Sequence, residues 1–318
     1  MTTRNKGILY AVSAALIWGF LAISLKVSLD YVPPMTIVWI RFTVAFIALW
    51  TILFIKNRSA LKVVSKPPVY GIIAAIALAG NYAGYIKGLE LTSPSNAQII
   101  IQLAPLLLIV VGLIVYKEKI NLLQGLGFIV AITGFGLFYR DQLEQLLGSP
   151  DSYNLGITWV IGAALAWVVF ASLQKGLVQR YHAQGLNLLI YLVPSILMIP
   201  LVDFEVLSSL SLPLWGLMIF LGINTLLAYG AIAEAFRFIP ANKVGIIVTL
   251  NPLITIVTMS LLSTLGVTWI EPEKISIYGF LGAALILSGV IIAIVVKRKP
   301  KDVPVSDPEL TLDLKRQS

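Results

Sequence analysis

Three observations on this 318-residue chain predict an all-α membrane protein of ten transmembrane helices, arranged as two inverted five-helix repeats. The first is composition. Apolar residues make up 58% and charged residues only 12%, with a mean hydropathy of +0.92, whereas soluble domains carry about 25% charged residues. The second is the run of apolar stretches near the ~20 residues that span a hydrocarbon core, separated by short polar punctuation. They are continuously apolar rather than alternating, which argues for helices, whose backbone bonds close within one segment, and against barrel strands. The third is a repeat of the first half in the second.

Spans are predicted at 7–26, 34–55, 69–90, 94–116, 121–139, 154–177, 187–201, 213–236, 240–265 and 275–297. The basic segment Met1 to Lys6 leads into an apolar run longer than the 7–15 residue core of a signal peptide, so it opens the first span. The seventh is the shortest and ends beside Pro200. With the N-terminus cytoplasmic, inside loops collect Arg4, Lys6, Lys56, Arg58, Lys62, Lys66, Lys117, Lys119, Lys175, Arg180, Arg237, Lys243 and the Lys297, Arg298, Lys299 cluster. Outside loops keep Lys26, Arg140 and Lys274 and most loop carboxylates. Lys and Arg near span ends set orientation, so both termini are expected in the cytoplasm. This topology also accounts for the net charge of +8 without a nucleic-acid partner. The chain divides into a first repeat (1–139), a linker (140–153), a second repeat (154–297) and a charged, Pro-bearing tail (298–318) expected to be disordered.

At a shift of 149, Gly7, Trp18 and Lys26 fall on Gly156, Trp167 and Lys175. At a shift of 147, Tyr82 falls on Tyr229, Lys87 on Glu234 and Pro105 on Pro252; at 155, Gly127 and Gly134 fall on Gly282 and Gly289. Five spans per half is an odd number, so the second copy inserts upside down and the halves are related by a two-fold axis in the membrane plane.

Polar groups at membrane depth are costly unless paired or wet, so they are the default site candidates. Asn81, Gln102, Asn224 and Asn251 fall near the midplane. Gln98, Gln102 and Pro105, at i, i+4 and i+7, share one face of the fourth helix. Buried amides also serve as interhelical glue, worth about 0.6–2 kcal/mol each. Pro105 and Pro252 free the carbonyls of Ile101 and Val248 mid-span, and Thr249 joins this pathway set. Arg41 lies inside the second helix, where a charge costs about 2.5–3.5 kcal/mol. A carboxylate on a solute would offset that cost through two parallel hydrogen bonds; pairing with carbonyls near the surface is the alternative. Lys87 and Glu234 sit on opposite sides of the midplane and are expected at opposite mouths, with Glu234 the better group for proton coupling. Trp18, Trp167, Tyr82, Tyr85, Tyr191 and Tyr229 either line the pathway or pack. The glycines of the fifth and tenth helices mark packing or dimer surfaces.

The Ala-Ala-Leu-Ile-Trp run ending at Trp18, Pro33-Pro34 followed by Arg41, the block from Thr92 through Ala97 to Pro105 closing with Glu118, and Gly127 with Gly134 resemble the EamA-type permeases of the drug/metabolite transporter superfamily. The resemblance covers residues 7–297. It implies that helices 1–4 and 6–9 surround a pathway while 5 and 10 lie aside. It also implies export or uptake of a small metabolite by a carrier in the bacterial inner membrane. The inverted repeat supplies the two exchangeable conformations of alternating access, so the chain reads as a secondary-active transporter, with export as the expected direction, protons as the expected coupling ion, monomer or homodimer as the expected state and no cofactor. In the second half the closing acid is displaced to Glu271 or Glu273, so no symmetric role for Glu118 follows.

The absence of Cys and the single His182 argue against thiolate or histidine metal sites, and no nucleophile-and-base constellation of a membrane enzyme is present. A water channel is disfavoured because Asn251-Pro252 is followed by Leu253 and its counterpart is Ala104-Pro105. A cationic-drug exporter is the main rival, but it would resemble small multidrug proteins with a Glu in the first span, which here has none. Arg41 favours amino acids or other carboxylate-bearing solutes.

Overall fold

The computed structural model describes residues 3–92, 94–118, 120–138, 140, 151–269 and 276–295. Most of the linker, Glu271 and Glu273, and the tail at 298–318 lie outside the described residues. Among them, all regular structure is helical. Span 1 is Thr3–Leu29, span 2 Pro34–Lys56 and span 3 Val69–Leu91; span 4 is split into Pro94–Ile101 and Leu103–Ile114; span 5 is Leu122–Phe138. Span 6 is Asp151–Leu177, span 7 Ala183–Leu197 and span 8 Leu212–Phe238; span 9 is split into Ala241–Val248 and Asn251–Thr264; span 10 is Ile277–Val295.

Proline sets several starts. Pro34 and Pro213 occupy the first helical turns of spans 2 and 8, where a missing N–H is no loss and φ is already helical. Span 7 differs from expectation. It begins at Ala183, capped by the His182 ring accepting from Gly185 N, and ends at Leu197 before a 3₁₀ turn at Ile199–Leu201. Its amides Gln184 and Asn187 lowered the apparent hydropathy of a segment that in fact packs inside. Span 6 starts at Asp151, three residues into the segment assigned to the linker.

The packing follows the repeat. Span 1 packs on span 8 as span 6 packs on span 3; span 2 on span 8 as span 7 on span 3; span 1 on span 9 as span 6 on span 4. The pairs 2–7, 4–9 and 5–10 are their own mates. Exchanging the halves returns the same principal neighbours, the property of a two-fold axis, and the odd span count lays that axis in the membrane plane. Close approach rests on small residues. A Cβ on Gly88 would stand 2.8 Å from the Gly156 carbonyl, and one on Gly289 2.4 Å from the Gly127 carbonyl. Large apolar side chains such as Leu9, Phe20, Ile55, Ile76 and Ile114 point outward, which suits a lipid surround in which contact between helices must come from packing.

Candidate functional site

Alternating span direction gathers the site from separated stretches of sequence. The later part of span 1 (Trp18, Leu25), the start of span 2 (Arg41), the later part of span 3 (Asn81 to Ile86) and the start of span 4 (Gln98 to Pro105) all lie in the half of the bundle away from the end that carries Thr3, here termed the N-terminal face. They line one cavity with Trp167, Tyr229, Val248 and Asn251 of the second half. Its volume is about 100 Å³, below the ~300 Å³ at which ligand pockets begin. A solute of more than a few heavy atoms therefore enters only as the spans part.

The breaks in spans 4 and 9 are the local cause of this crevice. Pro105 has no N–H for the Ile101 carbonyl and Pro252 none for Val248, and each first segment ends at that residue. Ile101 and Val248 both line the cavity. Irregular backbone at membrane depth is tolerated where it borders such a space.

Arg41 is 4% exposed. Its Nε donates to Thr225 Oγ1 at 3.1 Å and an Nη to the Tyr82 hydroxyl at 3.1 Å, while the guanidinium carbon stands 4.3 Å from the Tyr82 ring centre. All these partners are neutral, and among the described residues no carboxylate lies within ion-pair distance of Arg41. A positive charge is thus held at the cavity wall with spare donors. Trp18 packs edge-on against Tyr229 at 5.3 Å and Trp167 at 6.2 Å, forming an aromatic wall beneath it. The buried amide oxygens of Gln98, Gln102 and Asn251 find no hydrogen-bond partner among the described residues. Such groups cost about 1–3 kcal/mol each, recoverable when a solute or a rearrangement supplies donors.

Of the residues singled out from sequence, Trp18, Arg41, Asn81, Tyr82, Tyr85, Gln98, Gln102, Pro105, Trp167, Tyr229 and Asn251 meet at this cavity. Four others do not line it. Tyr191 is fully buried, its hydroxyl 3.3 Å from the Leu226 carbonyl. Asn224 donates to the Ile17 carbonyl at 3.0 Å, a clasp between spans 8 and 1. Thr249 bonds back to Ile246 at 2.6 Å within the break of span 9, and Pro252 sits beside it. Asn81, at the cavity edge, also clasps, donating to the Ala163 carbonyl at 2.9 Å.

Lys87 and Glu234 lie apart, each paired three residues along its own helix. Lys87 meets Glu90 at 2.7 Å with both side chains about 40% exposed, and Glu234 meets Arg237 at 2.9 Å. Glu234 is 16% exposed and also accepts from Gln184 Nε2 at 3.1 Å. Gln184 bonds Asn187, which bonds both Gln174 and the Tyr229 carbonyl. This amide chain from the N-terminal face to a cavity residue was missed from sequence; its signal was three amides within otherwise apolar helices.

The N-terminal face is shut. The Glu118 carboxylate, at the end of the span 4–5 connection, accepts from Ala241 N at 2.8 Å and Asn242 N at 3.0 Å. Tyr116 donates to the Ser172 carbonyl. Burial and then the Glu118 charge push its phenol above the ordinary value, so it stays protonated as a donor.

The family described as "EamA-like transporter family" matches residues 5–140 and again 154–295. The chain belongs to the EamA-like transporter family. The "Uncharacterized inner membrane transporter YhbE" of Escherichia coli K12 is 34% identical over 286 residues, 89% of each chain. An "Uncharacterized transporter" of Haemophilus influenzae is 30% identical over 290 residues, covering 90% of this chain and 94% of the relative. A solved crystal structure superposes with a TM-score of 0.73 at 19% identity, over 93% of this chain and 99% of the other, a likeness of fold. As an EamA family member, the chain is a multi-pass inner-membrane transporter, and its two family segments fit the ten-span, two-repeat layout.

Proposed function

We propose that this transporter is a secondary-active carrier of a small carboxylate-bearing solute, an amino acid or a relative of one, working by alternating access in the direction of export. The observation that carries this reading is Arg41. A guanidinium held in a nearly dry wall with only neutral partners is an uncompensated charge, and a solute carboxylate compensates it through two parallel hydrogen bonds. Buried charges unpaired by the protein itself are costly, so the position is supported by what it binds. The unpartnered amides of Gln98, Gln102 and Asn251 offer further hydrogen bonds to the polar remainder of the solute, and the aromatic wall offers a face for its carbon skeleton.

Counterflow in proteoliposomes tests this. The panel is an amino acid, the matching carboxylic acid without the amine, the matching amine without the carboxylate, and a lipophilic cation. Exchange is expected for solutes with the carboxylate. Exchange of the cation alone would replace this reading with cationic-drug export, for which the aromatic wall provides ring faces.

Glu234 is the proposed proton-coupling group, being a partly buried carboxylate on the amide chain that reaches Tyr229. Glu234→Gln is expected to leave solute counterflow intact and to remove accumulation driven by a pH gradient. Full gradient-driven accumulation in this variant would discard the coupling role. Both termini are placed in the cytoplasm on the loop charges, a topology that reporter fusions to either end check directly.

A further inference from the structure

The turn between spans 8 and 9 is held at both of its backbone ends by side chains of opposite charge. Span 8 ends at Phe238, and Lys175 Nζ donates to the carbonyls of Phe236 at 2.8 Å and Ile239 at 2.9 Å. Span 9 begins at Ala241, and Glu118 takes its first two free N–H groups. Each charge complements the helix end it meets, a cation at exposed carbonyls and an anion at exposed amides. Glu118 belongs to the first half and the turn to the second, so this contact spans the two repeats. Just beyond it, span 9 lies hard on span 4: a Cβ on Gly245 would stand 2.8 Å from the Pro105 carbonyl.

On the other face only part of the equivalent region lies within the described residues, since Glu271 and Glu273 fall outside them. Lys26 is the repeat counterpart of Lys175, yet among the described residues it makes no hydrogen bond or ion pair. The cavity lies in that same half of the bundle. Among the described residues, the fastening by Lys and carboxylate is seen on the N-terminal face.

We propose that Glu118 and Lys175 form a latch that holds the N-terminal face closed, and that its release is required for the cavity to open there. Nothing in the family match assigns this role to either residue. The proposal rests on the alternating-access reading but not on the identity of the solute. Glu118 is a positioning residue in this scheme: among the described residues its carboxylate accepts hydrogen bonds from the Ala241–Asn242 backbone, and it acts on access to the cavity. Gly112 supplies a second way to test it, because a Cβ there would stand 2.6 Å from Glu118 Oε2 and displace the carboxylate without removing it.

The chain contains no Cys, so single reporters need no background removal. Val244→Cys reports on the closed layer of span 9, where Val244 is 0% exposed. Leu21→Cys reports on the cavity wall. Each is labelled with a membrane-impermeant thiol reagent applied from its own face, in the parent and with Glu118→Ala or Gly112→Ala added. Both additions are expected to raise the labelling rate at Val244→Cys about tenfold, a shift of a two-state equilibrium, and to lower it at Leu21→Cys. Opposed changes at the two reporters distinguish a shift in access from loosening, which raises both. Unchanged rates, or a rise at both positions, overturn the latch. If the reporters respond as expected while no carboxylate-bearing solute exchanges, the latch stands and the solute assignment falls.

Discussion

Arg41→Gln is expected to reduce carrier-mediated exchange of carboxylate-bearing solutes by at least about 30-fold while leaving the purified protein as stable as the parent or more so. Removing one partner of a desolvated charge pair costs about 2–5 kcal/mol of binding, and the low end already corresponds to about a 30-fold loss. The unliganded protein has little to lose. Thr225 Oγ1 still donates to the Leu221 carbonyl and Tyr82 can donate to Thr225 at 3.4 Å, so no buried group is stranded. Replacing an unpaired buried charge with a neutral amide removes a desolvation cost. Exchange rates in proteoliposomes, set beside a thermal melt, separate binding from folding. A stable variant with undiminished exchange would dissolve the carboxylate assignment. Arg41→Lys is expected to recover only part of the activity, because an ammonium keeps the charge but not the planar fork.

The second large effect is on stability. Gly289→Ala is expected to destabilise the pairing of spans 5 and 10 by about 2–3 kcal/mol, the upper part of the range for overpacking. Its new methyl would stand 2.4 Å from the Gly127 carbonyl and 2.6 Å from Ala131 N. Both obstacles are backbone, so neither can rotate aside and the helices must separate. Gly136→Ala, on the same helix pair, meets nothing within 4 Å and is expected to leave the melt unchanged. Coincident melts for the two variants would mean that the close contact of these helices adds nothing to stability.

Much of the fold was legible because bilayer physics writes it into one dimension. The span count, the broken spans at Pro105 and Pro252, and the pairing of Trp18 with Trp167 all follow from hydropathy, missing N–H groups and repeat spacing. Depth was readable too, which is why eleven candidate residues converge on one cavity. Azimuth was not. Asn224 lies near the midplane, about 7.5 Å along span 8 from Tyr229, and five residues at about 100° each turn it about 140° away, toward span 1. Pro252 is displaced in the same way from Asn251, its immediate neighbour. Tyr191 was misjudged for a different reason. Span 7 packs behind spans 2 and 8, and nothing in its own sequence says which of its neighbours stands between it and the crevice. Glu118 stood out only as the closing acid of a family block and its role was not legible, since its partners are backbone amides 123 and 124 positions away, which carry no side-chain signature.

The asparagine clasps have one more consequence. Asn81 reaches from span 3 to span 6 and Asn224 from span 8 to span 1, but at the 147-residue offset Asn81 corresponds to Ala228, so one fastening is slid by about a turn relative to its twin. When the halves trade roles, the protein does not return to a degenerate copy of itself. The two end states lack any symmetry that would equalise their free energies, and each ~1.4 kcal/mol between them tilts occupancy tenfold. An uneven resting population is therefore a built-in property of this nearly symmetric bundle.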